Sequence, residues 1–115
     1  MSVTIYHNPR CSKSRQALAI IEDKGISPNV VEYLKTPLSE EDIKALAALL
    51  GTLDAPRTMM RVKEDEYKNN NLKAAQSDAL FKAMATHPKL IERPIIVCNG
   101  KAIIARPPEK ALDVL

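Results

Sequence analysis

Val3-Thr4-Ile5-Tyr6-His7-Asn8-Pro9-Arg10-Cys11-Ser12-Lys13-Ser14-Arg15 divides into two kinds of backbone with a cysteine at the join. Val3 to Tyr6 reads as a short β-strand, and the pattern from Ser12 to Lys24 reads as an amphipathic helix. A thiol at such a strand-to-helix turn lies over unpaired backbone N–H groups and the positive end of the helix dipole, both of which favour the thiolate. Arg10, Lys13 and Arg15 add positive charge close by. A cysteine that only packs would sit among apolar neighbours, whereas Cys11 is flanked by Arg10, Ser12 and Lys13. The position therefore points to a reactive thiol.

Beyond this turn, Ala17, Leu18, Ile20 and Ile21 give the helix its apolar rhythm, and Gly25 after Lys24 is placed to end it. Asn29 to Leu34 reads as a second strand, and a strand–helix–strand order of this length implies parallel pairing. Pro37 closes that strand. Ser39 with Asp42 marks a helix start, Glu40 and Glu41 suit its first turn, Ile43, Leu46, Ala47 and Leu50 share one face, and Gly51 stops it. Asp54 is expected to cap a short helix running through Met60. Val62 to Asn71 is polar and interrupted, with Asn69-Asn70-Asn71 as a turn or loop. Ser77 is expected to cap a helix whose inner face carries Leu80, Phe81 and Met84 and which ends near His87-Pro88.

The last third changes character. Pro94 to Cys98 and Ala102 to Ala105 are β-branched runs joined through Asn99-Gly100, a strong signal for a tight antiparallel hairpin. Pro107 and Pro108 then start a closing helix through Leu115. The whole is a single α/β domain over residues 1–115. It has a mixed sheet of about four strands, flanking helices, and a helical insertion over about residues 38–90 between the βαβ half and the hairpin.

Composition narrows the function. The 115 residues are 45% hydrophobic and 27% charged, ordinary for a globular chain that can build a core. Three tyrosines and one phenylalanine are the only aromatics, too few for stacking platforms on single-stranded nucleic acid. A net charge of +3 spread along the chain is too mild for a nucleic-acid or membrane footprint. The N-terminal stretch has no long apolar segment, so neither a secretory signal nor a membrane span is expected. The two cysteines are far apart, which disfavours a disulfide scaffold and suits a reducing cytoplasm. The two histidines and two cysteines show no metal-ligand spacing, so no metal site is expected.

A dithiol on this turn would place a second cysteine three residues after Cys11, but Ser14 stands there. A redox cycle must bring its second sulfur from outside or from Cys98. Cys98 ends the apolar run Ile95-Ile96-Val97, a setting that favours inert packing. Of the six arginines, Arg10 and Arg15 flank Cys11, Arg57 and Arg61 lie in the insertion, and Arg93 and Arg106 each precede a proline outside the hairpin strands. Guanidinium forks suit bidentate contact with tetrahedral oxyanions, although each one taken singly would serve as a solvated surface charge.

Several landmarks in one order carry a family resemblance. They are Tyr6-His7-Asn8-Pro9 with Cys11, Ser14 and Arg15; Tyr33-Leu34 before Pro37; Arg57 to Arg61; His87-Pro88; Arg93-Pro94-Ile95-Ile96-Val97; and Arg106-Pro107 with Leu112-Asp113-Val114-Leu115. Across almost its whole length the chain resembles the glutaredoxin-coupled arsenate reductases of the ArsC type, which have a thioredoxin-like fold. The resemblance implies that Cys11 is the nucleophile that attacks arsenate and that Arg61, Arg93 and Arg106 hold the oxyanion and its thiol adduct. It implies a histidine, His7, near the nucleophile, where a charge would help hold the thiolate. It also implies a cis proline, Pro94, framing the site.

With no second thiol at Ser14, the resemblance makes glutathione the next attacking thiol and a co-substrate, and glutaredoxin the partner that completes reduction to arsenite. No bound cofactor is expected. Two other readings stay open: a glutathione-dependent thiol oxidoreductase with another substrate, and a non-enzymatic regulator of the Spx type. An oxyanion reductase needs the arginines gathered around one thiol, and a generic thiol exchanger does not. The regulator would be favoured by a C-x-x-C switch, which this turn lacks.

Overall fold

Short runs rich in β-branched residues make the sheet, and the computed structural model describes it within residues 2–115. The strands are β1 (Val3–Tyr6), β2 (Asn29–Val31), β3 (Ile95–Cys98) and β4 (Lys101–Ile104). Their spatial order is β2-β1-β3-β4. β1 pairs parallel with β2 and antiparallel with β3, and β3 pairs antiparallel with β4. This is the mixed, thioredoxin-like sheet expected from the sequence. Asn99 and Gly100 make the hairpin turn with φ of 52° and 76°, the left-handed pair that a two-residue turn requires.

The chain divides into two compact units. The first joins residues up to Thr36 with Arg93–Leu115, and the second is Pro37–Glu92. In the first unit, helix α1 (Ser12–Asp23) turns Ser14, Ala17 and Ile21 inward at three- and four-residue spacing. Ala17 and Ile21 join Val3, Ile5, Ile96, Cys98, Ala105 and Ala111 in one buried cluster. The registers Val3↔Cys98 and Ile5↔Ile96 put these strand residues on a common face. Pro108–Asp113 forms a 3₁₀-helix that packs against α1 and inserts Ala111 into that cluster.

The second unit is helical. Helix α2 (Glu40–Leu50) opens with a capping box, in which the Asp42 N–H donates to Ser39 Oγ at 3.1 Å and the Ser39 N–H donates to Asp42 Oδ2 at 3.2 Å. It closes at Gly51, whose φ of 76° allows the Thr52 N–H to reach the Ala47 carbonyl at 2.8 Å. Helix α3 spans Asp65–Asn69, and α4 (Ser77–Thr86) packs against α2. Ile43, Leu46, Met59, Leu80, Phe81, Met84, Leu90 and Ile91 are among the buried side chains of this unit. Met60 bridges Ile91, with the Arg61 N–H donating to Leu90 O at 2.7 Å and the Glu92 N–H to Met59 O at 2.9 Å.

Several boundaries differ from the sequence expectation. The second strand stops at Val31, because its partner β1 ends opposite it and the His7 N–H makes the next bond to Val31 O at 2.8 Å. Beyond that point the chain turns, with the Lys35 and Thr36 N–H groups both donating to Glu32 O at 3.0 Å. The Asp54-capped helix is instead a 3₁₀ turn, Pro56–Met59, entered from Ala55 without a side-chain cap. Gln76, not Ser77, occupies the cap position of α4. The polar stretch after Val62 contains α3, whose Tyr67 is buried and tied to Arg57. The closing helix is 3₁₀ rather than α and begins at Pro108, with the Lys110 N–H donating to Pro107 O at 3.0 Å and the Val114 N–H to Ala111 O at 3.3 Å, three residues back in each case.

Candidate active site

Cys11 occupies the N-cap position of α1 with extended backbone, φ −92° and ψ 122°. The Cys11 N–H donates to Asn8 O at 3.0 Å, and the Arg15 guanidinium donates to Pro9 O at 2.8 Å, so the loop before the cysteine is braced from α1. Burial disfavours the thiolate. The Ser14 backbone N–H, the charge and side-chain hydrogen bond of Arg93, and the Lys13 backbone N–H outweigh it, and the Cys11 pKa lies below the ordinary thiol value.

Arg93 directly precedes Pro94, and the Arg93–Pro94 peptide is cis, as is Arg106–Pro107. Arg93 Nε and Nη1 are buried and have no hydrogen-bond partner in the protein. Buried guanidinium donors left unpaired cost free energy, so their presence beside a thiolate-favouring cysteine marks a seat for an anion. Arg106 stands at the same place: its Nη1 donates to the Arg93 carbonyl at 3.3 Å while the residue itself is exposed. Arg61 belongs to the second unit, where it pairs with Glu64 and, at 3.9 Å from its Nε, with Glu92. The structure thus groups Cys11, Arg93 and Arg106 within the sheet-bearing unit.

His7 follows β1, is 5% exposed, and its Nδ1 lies 2.6 Å from Ser14 Oγ. Burial lowers the His7 pKa, Glu32 raises it in part, and Arg15 lowers it further. The ring is therefore neutral at ordinary pH. Both contacts of Ser14 Oγ are accounted for when the hydroxyl donates to Nδ1 and accepts the Asn8 N–H at 3.1 Å. The charge beside the sulfur comes from Arg93, not from this imidazole.

Sequence reasoning missed Ser14 as a positioning residue. In the sequence Ser14 reads as a family landmark and as a missing second thiol, with no positioning role, yet the side chain is fully buried and links His7 to Asn8. The available signal was its place in the first helical turn, where a hydroxyl and an N–H both face the preceding loop. Arg57 was also undistinguished. Its Nε donates to Tyr67 Oη at 3.0 Å and its Nη2 donates to the carbonyls of Leu72, Lys73 and Ala75 at 2.7, 3.1 and 2.8 Å. Its fork is consumed by the fold of the second unit.

Cys98 is buried in the sheet core, and both cysteines are free thiols. Among the described residues, no group of three or more His, Cys, Asp or Glu side chains is placed to hold a metal ion, and no helix is long and apolar enough to cross a membrane.

The geometry thus brings together a thioredoxin-like sheet, a thiol of lowered pKa and an arginine with buried, unpaired donors. Residues 6–114 match the ArsC family, and the chain belongs to that family. It is 48% identical to an arsenate reductase of Haemophilus influenzae, with 100% of each chain covered. It is 49% identical to the uncharacterized protein YfgD of Escherichia coli K12, covering 98% of this chain and 96% of that one. The solved structure of an arsenate reductase from Vibrio cholerae superposes with a TM-score of 0.96 at 57% identity, covering 100% of this chain and 98% of the other.

Proposed function

We propose that this chain reduces arsenate to arsenite through a covalent adduct on Cys11, drawing its electrons from glutathione and glutaredoxin. One observation carries the reading: the buried, partnerless Nε and Nη1 of Arg93 next to a thiol of lowered pKa. A generic thiol exchanger has no use for such donors, and a tetrahedral oxyanion would accept from both. The relatives named arsenate reductases support the same choice.

In this reaction the Cys11 thiolate attacks arsenic(V), and one arsenate oxygen leaves as water after protonation. Arg93 and Arg106 offset the repulsion between two anions. Arg61 enters through its place in the family pattern. The glutathione thiolate then attacks the Cys11 sulfur. As the S–S bond forms, the S–As bond breaks and its electron pair passes to arsenic, which departs as arsenite. A glutaredoxin thiolate attacks the glutathione sulfur and frees the Cys11 thiolate. Neutral His7 with Ser14 positions the loop that carries the nucleophile. A free thiol working with glutathione belongs in a reducing compartment, the cytoplasm.

The test is steady-state arsenate reduction with glutathione and glutaredoxin. Wild-type protein turns over, Cys11→Ser does not, and Arg93→Ala raises the arsenate KM. Sustained turnover by Cys11→Ser would overturn the assignment.

A further inference from the structure

The sheet-bearing unit holds a half-open cleft of about 240 Å³ lined by His7, Pro9, Arg10, Glu32, Leu34 and Lys35, with Asn8 between His7 and Pro9. Of its lining only His7 has a part in the arsenate reading, and that part is to position the loop, which leaves Arg10, Glu32, Leu34 and Lys35 without a role. We infer that this cleft seats the reducing co-substrate, glutathione, with Arg10 and Lys35 holding its carboxylates and Glu32 its ammonium. The inference rests on the glutathione dependence proposed above and adds where and by which groups that thiol is recognised.

Position comes first. One wall of the cleft is the loop His7 to Arg10 that leads directly into Cys11, and Asn8 O in that wall accepts the Cys11 N–H at 3.0 Å. Arg10 lines the cleft and directly precedes the nucleophile in the chain, so a thiol ligand held on this wall is one residue along the loop from Cys11. Charge comes second. At neutral pH glutathione carries two carboxylates and one ammonium, and the cleft offers two cations and one carboxylate in Arg10, Lys35 and Glu32. Leu34, 38% exposed, and Pro9 give the methylene segments an apolar surface.

The wall is also held ready. The Arg10 N–H donates to Asn8 Oδ1 at 3.0 Å and Arg15 braces Pro9 O at 2.8 Å. The one internal obstacle is the Lys35–Glu32 pair at 3.5 Å, with side chains 79% and 39% exposed, and such a solvated pair opens readily. The volume lies below the ~300–1,000 Å³ common for ligand sites, so part of the tripeptide stays in solvent. That suits a co-substrate that must arrive and leave in every cycle.

The probe is S-methylglutathione, which cannot react, titrated into the full chain and followed by amide chemical shifts. Shifts are expected at Asn8, Arg10, Leu34 and Lys35. Lys35→Glu should weaken binding about tenfold and raise the glutathione KM by a similar factor, with the arsenate KM within about twofold of wild type. Arg10→Glu should weaken probe binding likewise. Shifts centred elsewhere, or unchanged binding in both variants, would overturn the cleft assignment. A raised KM for glutaredoxin alone would assign the cleft to a protein partner and overturn it too. If the probe binds as expected but arsenate is not reduced, the proposed reaction fails while the glutathione seat stands.

Discussion

His7 Nδ1 and Ser14 Oγ lie 2.6 Å apart, joining the end of β1 to the first turn of α1 directly behind Cys11. The same hydroxyl accepts the Asn8 N–H, so one small side chain fixes the loop from two sides. Replacing it separates positioning from acidity, because the Ser14 backbone N–H that stabilises the thiolate is retained. Ser14→Ala leaves the His7 ring and the Asn8 amide unpaired, at a cost of about 1–3 kcal/mol. Urea denaturation should show that loss, and arsenate turnover should fall with little change in the pH profile of Cys11 alkylation.

Arg93 supplies both charge and a hydrogen bond to the thiolate. Arg93→Ala should move the midpoint of iodoacetamide alkylation to higher pH and slow modification at pH 7 about three- to tenfold. Arg93→Lys keeps the charge but loses the planar fork, so it should restore part of the alkylation rate and less of the arsenate binding.

The pH dependence of stability follows from His7. Its folded pKa lies below its unfolded value, about 6.5, because burial disfavours the charged ring. Between those two values the unfolded chain binds more protons, so stability rises with pH across the window. His7 therefore contributes full stability above about pH 6.5 and loses it on acidification towards its depressed folded pKa. Denaturation midpoints at pH 7 and pH 5 should show the drop, and His7→Gln should flatten it.

Arg57 holds Tyr67 and three backbone carbonyls within the second unit. Arg57→Ala should destabilise the protein by about 3 kcal/mol, and Arg57→Lys should recover only a small share. Hydrogen exchange should report the opening at residues 65–75, with protection of β1 and β3 retained.

Cys98 fills the sheet core opposite Val3. Cys98→Ala should keep arsenate turnover while lowering stability by about 1 kcal/mol, as expected for a small buried apolar group. Loss of turnover with the fold intact would instead indicate an internal disulfide route.

Local chemistry made much of the fold readable without coordinates. Asn99-Gly100 specifies a turn whose two φ angles are positive, and both are. Ser39 and Asp42 specify a capping box, and both bonds form. Such features depend on residues a few positions apart, so the chain states them directly. The end of β2 depends on where β1 runs out, and α3 depends on Tyr67 reaching Arg57, so neither was visible in its own segment.

The sequence alone determined the strand–cysteine–helix turn, the absent second thiol at Ser14 and the tight hairpin, because each is set by neighbouring residues. Tertiary structure alone sorted the arginines. Arg93 is left with buried unpaired donors near Cys11, Arg57 is spent on backbone carbonyls, and Arg61 is matched by Glu64 and Glu92. Their side chains are chemically identical, and what distinguishes them is which partners folding places within hydrogen-bond reach of each guanidinium.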